Sequence, residues 1–126
     1  TTLFRSEIEL ESMSKNSLQL DNIDSVTANI ESISLNKNQS IIVTLGSTGV
    51  FINHANKQEF IEGHNVEAVD TTGSGDCFLG ALASSLVKNE NLFDAAAYAN
   101  KAAALSVTKK GASASMPTHQ DVLMLL

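Results

Sequence analysis

The chain has 126 residues, of which 43% are hydrophobic and 17% are charged, a balance typical of one folded domain rather than a disordered segment. Its formal net charge of −6 at pH 7 argues against nucleic acid or an anionic membrane as a partner, because their phosphates would be repelled. The single cysteine, Cys77, cannot form an intrachain disulfide, and the sequence shows neither a signal-peptide pattern nor an apolar run of membrane-spanning length. We therefore expect a cytoplasmic protein.

The first part of the chain predicts two helices followed by strands. Residues 7–14 and 23–33 are predicted to be helical, the second of these from apolar residues that recur at helical spacing. The apolar, β-branched run at 40–45 predicts a buried strand, which leads into a turn at Gly46–Gly49. Further strands are predicted at residues 50–53, 58–61 and 66–69.

The second part of the chain predicts a polar loop followed by helices. The loop Asp70–Asp76 contains two glycines and runs directly into an apolar helix predicted at 77–87. An alanine-rich helix is predicted at 92–107, and a short helix at the end of the chain includes 122–126. The order of these elements indicates an α/β layer structure whose first strands are missing, so we expect the chain to be part of a larger fold.

The loop Asp70–Asp76 carries the residues best suited to chemistry. Gly73 and Gly75 permit a close approach of the backbone, and a helix that begins beside them leaves its first N–H groups without intrahelical partners. Such donors lie at the positive end of the helix dipole and suit a phosphate. Asp76 would then take a proton from a hydroxyl that attacks this phosphate. The alternative is a plain helix start in which Asp76 only caps the helix.

The segment Asp70–Asp76 reads Asp-Thr-Thr-Gly-Ser-Gly-Asp and closely resembles the Asp-Thr-x-Gly-Ala-Gly-Asp signature of the ribokinase, or phosphofructokinase-B-like, family of carbohydrate and nucleoside kinases. Ser74 replaces the usual alanine. The resemblance extends in the same order through Val43–Val50, Phe78–Leu82 and Ala99–Ala112. It implies the C-terminal part of a ribokinase-like three-layer α/β/α fold, with the N-terminal half absent.

The resemblance also implies roles for individual residues around an ATP site. Asp76 would be the catalytic base, and the backbone N–H groups of Gly73, Ser74 and Gly75 would form an anion hole for the transferred phosphoryl group. The nucleotide would contact Thr44, Gly46, Ser47, Gly49 and Asn100. A monovalent cation such as potassium would be bound by Asp70, by carbonyl groups near Thr72, Ser106, Lys109 and Gly111, and by Ser115.

Magnesium is the cofactor whose predicted site departs from the family pattern. Members of the family carry an Asn-x-x-Glu motif, and the counterpart here is Ser6-Glu-Ile-Glu9, with serine in place of asparagine. Glu9 would act on Mg²⁺ through water, whereas Ser6 lacks the amide and has a shorter reach. An ordinary amphipathic helix at these residues is an equally good interpretation.

The function implied by the resemblance is that of a sugar kinase. Residues 1–126 would form the C-terminal nucleotide-binding and catalytic part of an ATP-dependent phosphotransferase that transfers the γ-phosphate to a hydroxyl of a sugar or nucleoside-like substrate. Its partner would be the missing N-terminal half of the kinase, and a homodimer is also possible on this interpretation. Two alternatives remain: a non-catalytic nucleotide-binding or regulatory module, and an inactive fragment of such a kinase.

Overall fold

The computed structural model describes residues 2–19, 22–33, 38–88 and 90–125. The chain divides into two compact units, residues 1–62 and residues 63–126, which we call unit 1 and unit 2. In the described part of the chain, no helix is both long enough and apolar enough to span a membrane.

Unit 1 contains a four-stranded mixed sheet with the strand order β1-β2-β3-β4. Its strands are β1 (Thr2–Ser6), β2 (Ser40–Thr44), β3 (Gly49–His54) and β4 (Lys57–Glu62). β1 and β2 are parallel, whereas β2, β3 and β4 are successively antiparallel. Consecutive residues of β2 are buried, so both faces of this strand are covered, which explains why its sequence is continuously apolar and β-branched.

Two tight turns connect the antiparallel strands of unit 1. Ala55 and Asn56 have positive φ angles of 50° and 62°, as in the type I′ turns whose twist matches a two-residue hairpin. This turn sets the register of the hairpin by pairing His54 with Lys57. Gly46–Thr48 forms a single 3-10 turn between β2 and β3.

Two helices lie between β1 and β2, α1 (Glu7–Ser14) and α2 (Ile23–Ser32), and they supply three of the seven buried residues of the core cluster of unit 1. Asn22 caps α2, because its side-chain oxygen accepts the N–H groups of Asp24 and Ser25 at 3.0 and 3.4 Å. The helices and strands share an apolar cluster formed by Leu10, Val26, Ile30, Ile41, Val43, Leu45 and Phe51. Burial of these side chains is the main driving force for the folding of unit 1.

Asn29 is a buried polar side chain that joins α2 to the segment after α1. Its amide donates to the carbonyl groups of Ser25 and Ser17 at 2.8 and 3.4 Å, and its Oδ1 accepts from the hydroxyl of Ser14. The residue is only 3% exposed, so these partners replace water. Asn29 therefore fixes the path of the chain between the two helices.

Unit 2 consists of a connecting segment and three helices: α3 (Ser74–Val87), α4 (Leu92–Ser106) and α5 (His119–Met124). α3 and α4 pack against each other. α4 buries the small side chains of Ala95, Ala96, Ala99 and Ala102, and small side chains allow helices to approach closely. A buried cluster of Cys77, Ala102 and Val122 adds α5 to this pair.

Most of the predicted elements are confirmed. The helix predicted at 77–87 begins earlier, at Ser74, and the helix predicted at 92–107 ends at Ser106. The terminal helix lies at His119–Met124 rather than around 122–126, and Leu126 lies outside the described residues. These differences are confined to the ends of elements.

One strand prediction was wrong, and one strand was not predicted. Residues 66–69 form no strand, because among the described residues no neighbouring strand pairs with them; Val69 instead donates its N–H to the carbonyl of Val107 at 2.7 Å. The two valines suit a strand, but a strand also needs a pairing partner. β1 was missed because Arg5 and Ser6 interrupt its apolar pattern.

Replacing Asn29 with leucine should lower the free energy of unfolding by about 1–3 kcal/mol, because leucine cannot make the hydrogen bonds of this buried amide to Ser14, Ser17 and Ser25. Asn38→Leu, at an exposed position of the same unit, is the matched control and should change this energy by less than about 0.5 kcal/mol. Urea denaturation followed by circular dichroism measures both variants. Equal effects would contradict the role assigned to Asn29.

Candidate active site

Asp70 lies at the start of the loop before α3 and ties that loop to a distant part of unit 2. Its Oδ1 accepts the N–H of Thr72 at 3.0 Å, and its Oδ2 accepts the N–H of Gly111 at 2.9 Å. The hydrogen bond from Gly111, followed by those from the backbone and hydroxyl of Thr72, lowers the pKa of the Asp70 carboxyl below its usual value. The carboxylate therefore stays ionised at neutral pH.

The carbonyl of Val107 makes a second link between the same two segments. It accepts the N–H groups of Val69 and Asp70 at 2.7 and 3.1 Å. Because a carbonyl oxygen has two lone pairs, both can be used in this way. The start of the loop is thus fixed against the C-terminal end of α4.

Gly73 ends the loop and is the N-cap residue of α3. Its φ of 78° lies in the left-handed region, and its carbonyl accepts the N–H of Cys77 at 2.9 Å. A Cβ at this position would lie 3.2 Å from the Cβ of Ala112 and 3.8 Å from the methyl carbon of Met116. The backbone angle favours glycine, and a side chain would also be tight against Ala112.

The first turn of α3 contains predicted backbone donors, and these differ in whether they already have an acceptor. The N–H of Ser74 donates to the carbonyl of Thr71 at 3.2 Å and is engaged within the loop. Gly75 and Asp76 occupy the second and third positions of the helix, where N–H groups have no intrahelical acceptor. A Cβ at Gly75 would meet no atom within 4 Å, so there is open space beside this donor. The predicted anion position at Gly75 is therefore not blocked by other atoms of the chain.

Asp76 is exposed on the first turn of α3, beside these donors. Asp76 does not occupy the N-cap position of α3. That position belongs to Gly73, which has no side chain with which to cap the helix. The 14-residue helix α3 directs the positive end of its dipole toward this turn. Asp76 thus places an accessible carboxylate at a position that also favours a bound phosphate.

The predicted cation ligands lie in two parts of unit 2, the loop before α3 and the chain from the end of α4 onward. Hydrogen bonds to Asp70 from Thr72 and from Gly111 join these two parts. Ser106 and Ser115 are buried, and their hydroxyls donate to the carbonyls of Ala103 and Ala112 at 2.8 and 2.7 Å. Lys109 is exposed between them in the chain. One carboxylate with several carbonyl oxygens is a donor set that suits a hard cation. In the part of the chain that the structure describes, no group of three His, Cys, Asp or Glu forms a further metal site.

Ser6 and Glu9 form a capping box at the start of α1 in unit 1. The Ser6 N–H donates to Oε2 of Glu9 at 2.8 Å, and the Glu9 N–H donates to the Ser6 hydroxyl at 3.4 Å. This reciprocal pair satisfies two helix-end donors, as the ordinary helix interpretation requires. The predicted action of Glu9 on magnesium remains a prediction.

Four of the predicted nucleotide contacts lie at the turn between β2 and β3. Gly46 and Ser47 are exposed, and the φ of 57° at Gly46 is one that side chains rarely adopt. The N–H of Leu45 closes the turn by donating to the carbonyl of Gly49 at 2.9 Å. Thr44 is the half-buried last residue of β2. The turn therefore presents exposed backbone without bulky side chains.

Asn100, the predicted adenine contact, and Cys77 are buried on the helices of unit 2. Asn100 lies on α4 and is 6% exposed. Burial raises the pKa of the Cys77 thiol, with a smaller opposing effect of its hydrogen bond to Ser106. The thiol is therefore neutral at pH 7, which is typical of a core cysteine rather than of a nucleophile.

Two residues that hold the loop were not predicted from the sequence. Val107 acts through its main-chain carbonyl, and Ala112 acts through a methyl group against Gly73. Neither contact depends on a distinctive side chain. No residue pattern could therefore have identified them.

Comparisons with known proteins identify the family of this chain. Residues 1–119 match the model of the pfkB family carbohydrate kinases. The chain is 41% identical over 88 residues to a ribokinase from Haemophilus influenzae, and 36% identical over 104 residues to a ribokinase from Schizosaccharomyces pombe. These alignments cover 70% and 82% of this chain but only 29% and 32% of the relatives, so the chain spans less than a third of the curated relatives' length.

Solved structures share the fold. A ribokinase from Thermotoga maritima has a TM-score of 0.80 and 32% identity, with 98% of this chain and 41% of that chain covered. A ribokinase from Cryptococcus neoformans var. grubii has a TM-score of 0.85 and 28% identity, with 100% and 43% covered. They confirm the ribokinase-like α/β fold predicted from the sequence. With the family match, they establish that the chain belongs to the pfkB family of carbohydrate kinases.

Proposed function

We propose that this chain carries the nucleotide-binding and catalytic residues of an ATP-dependent sugar kinase, in which Asp76 is the catalytic base. The family supplies the class of reaction. The observation that carries the residue assignment is the position of Asp76, an exposed carboxylate on the first turn of α3, next to the backbone donors that begin the helix.

In the proposed reaction, an acceptor hydroxyl gives its proton to the carboxylate of Asp76 while its oxygen attacks the γ-phosphorus of ATP. The bond from this phosphorus to the β,γ-bridging oxygen breaks, and ADP leaves. The predicted anion hole of Gly73, Ser74 and Gly75 would stabilise the negative charge on the transferred group. The open space beside Gly75 supports a phosphoryl group at this end of the helix.

ATP and Mg²⁺ are the proposed cofactors. The ribokinase from Cryptococcus neoformans var. grubii was solved in complex with ADP, and an Escherichia coli protein described as ribokinase II was solved with ATP and Mg²⁺. The proposed nucleotide contacts are those implied by the resemblance: Thr44, Gly46, Ser47, Gly49 and Asn100. Mg²⁺ would neutralise charge on the phosphates, and Glu9 would contribute through water while it also caps α1.

A potassium ion is the proposed structural cofactor of unit 2. A fructokinase from Vibrio cholerae was solved with fructose, ADP and potassium bound. The ionised carboxylate of Asp70 would be one ligand of such an ion. Its hydrogen bonds bring it close to Thr72 and Gly111, near which carbonyl oxygens would be further ligands. Carbonyl groups near Ser106 and Lys109, with Ser115, complete the proposed ligand set.

The proposed substrate is a hydroxyl group of a sugar or a nucleoside. The similar proteins include ribokinases, fructokinases and an aminoimidazole riboside kinase from Salmonella enterica that was solved with aminoimidazole riboside and an ATP analogue. A cytoplasmic location is proposed on the basis of the single, unpaired cysteine.

Asp76→Asn should lower kcat for sugar phosphorylation by about 10²–10⁴-fold, because an amide cannot accept the proton of the acceptor hydroxyl. The KM for ATP should change by less than about twofold, since the backbone donors remain in place. Asp94→Asn, the same substitution at the third position of α4, is the matched control and should retain activity. A coupled ADP-release assay of the full-length protein, with ribose, fructose and nucleosides, measures these values.

Near-normal turnover of Asp76→Asn would exclude Asp76 as the base. If the full-length protein binds ATP but phosphorylates no compound of the panel, the regulatory-module alternative replaces the kinase proposal.

Asp70→Asn should raise the potassium concentration needed for half-maximal activity at least tenfold, because the ligand loses its charge and one backbone N–H loses its acceptor. Glu67→Gln, an exposed carboxylate of the same segment, is the control and should leave this concentration unchanged. Activity titrations with potassium, in a buffer whose only other cation is bulky and organic, provide the measurement. An unchanged potassium dependence in Asp70→Asn would refute the proposed ligand.

The stability that the Asp70 hydrogen bonds contribute should depend on pH with a defined sign. Because the pKa of Asp70 is lowered from 3.8, its stabilising hydrogen bonds are fully present above pH 3.8 and are lost only as the pH falls through the lower, folded-state value. Amide signals of Thr72 and Gly111, followed by NMR, should therefore stay constant from pH 7 to pH 5. A transition within that range would contradict the assignment.

A further inference from the structure

A packing contact connects the start of α3 to the segment that follows α4, residues 107–116, which we call the post-helix segment. A Cβ built on Gly73 would lie 3.2 Å from the Cβ of Ala112, 3.5 Å from its Cα and 3.8 Å from the methyl carbon of Met116. Ala112 therefore covers the side of Gly73 where any other residue would carry its side chain. The N-cap of α3 therefore lies close to the post-helix segment, with no room for an ordinary side chain between them unless Ala112 moves by a few tenths of an ångström.

Ala112 is itself held firmly by its neighbours. Its carbonyl accepts both the N–H of Ser115 at 3.3 Å and the hydroxyl of Ser115 at 2.7 Å. Ser115 is only 1% exposed, so this anchor is embedded in unit 2. On its other side, Gly111 donates its N–H to Asp70 at 2.9 Å. Ala112 is exposed, but these hydrogen bonds hold its main chain, so its methyl group has a defined position beside Gly73.

The contact acts on the part of α3 where the donors begin. Gly73 has a φ of 78°, a region in which glycine has more freedom than any other residue. Asp70 and Val107 fix the start of the loop, three residues before Gly73. Two features of Gly73 bear on the orientation of the first turn: the close approach of Ala112 and the hydrogen bond from the N–H of Cys77 to the carbonyl of Gly73.

We propose that Ala112 is a positioning residue for phosphoryl transfer. Its methyl group sets the position of Gly73, and through Gly73 it sets the direction of the Gly75 N–H and of the Asp76 carboxylate. This inference rests on the proposed function, because it assumes that these two groups act on the transferred phosphate and on the acceptor hydroxyl. Ala112 touches neither of them and acts only through Gly73.

Ala112→Gly in the full-length protein should lower kcat about five- to tenfold, with the KM values for ATP and sugar changed by less than about twofold, since orientation matters most in the transition state. Ala114→Gly is the matched control: it makes the same change in the same exposed segment, but Ala114 lies near Gly111 rather than Gly73. The control should keep wild-type kcat. Equal losses in the two variants would mean that added flexibility, rather than the contact, lowers the rate.

A double-mutant cycle tests the contact directly. Gly73→Ala places a methyl group 3.2 Å from that of Ala112 and should lower kcat strongly in the wild-type background. In the Ala112→Gly background the nearest remaining atom is the Cα at 3.5 Å, an ordinary contact, so the same substitution should cost several-fold less. The strain from the positive φ is present in both backgrounds and cancels in the cycle. Additive effects on kcat would overturn the inference.

An NMR measurement separates this inference from the proposed function. Ala112→Gly should shift the amide signals of Gly75 and Asp76, and Ala114→Gly should leave them unchanged, whether or not the protein is active. Unchanged Gly75 and Asp76 signals in Ala112→Gly would overturn the positioning role, even where Asp76→Asn abolishes turnover. Shifted signals together with near-normal turnover of Asp76→Asn would confirm the contact but refute its catalytic meaning, and the inference would then fall with the proposed function.

Discussion

The two oxygens of the Asp70 carboxylate impose the constraint on which the site in unit 2 depends. One oxygen accepts a hydrogen bond from the loop before α3, and the other accepts one from Gly111, far along the chain. Because each oxygen has its own backbone donor, the carboxylate cannot turn without losing a bond. The same arrangement keeps the group ionised. A single charged side chain thus fixes the start of the loop that leads into α3.

The helix ends of the chain differ in a way that bears on function. Side chains cap α1, α2, α4 and α5: Ser6, Asn22, Asn91 and Thr118 accept backbone N–H groups at these ends. Such caps satisfy the donors that a helix leaves free. α3 begins instead at Gly73, which has no side chain to offer. The lack of a cap costs stability but keeps donors available, and this favours α3 as the helix at which a phosphate would bind.

The sequence predicted the fold well where local patterns decide the structure. The buried strand β2 and the alanine-rich helix α4 carry strong apolar patterns, and both were confirmed. The strand predicted at 66–69 failed because pairing depends on residues elsewhere, and β1 was missed because Arg5 and Ser6 interrupt its apolar pattern. The signature loop could be recognised from its glycines and carboxylates. The contacts of Val107 and Ala112 could not, since they use a carbonyl and a methyl group that many residues possess.

The serine that replaces alanine in the signature illustrates how geometry decides whether a change matters. The N–H of Ser74 already donates to the carbonyl of Thr71 at 3.2 Å. Its contribution to an anion site is therefore shared with the loop, whatever side chain the residue carries. Gly75 has open space beside it. Under the proposed function, a side chain at this position would occupy the room of the transferred phosphoryl group, so the two neighbouring positions would differ in what they require: a main-chain turn at 74, and the absence of a side chain at 75.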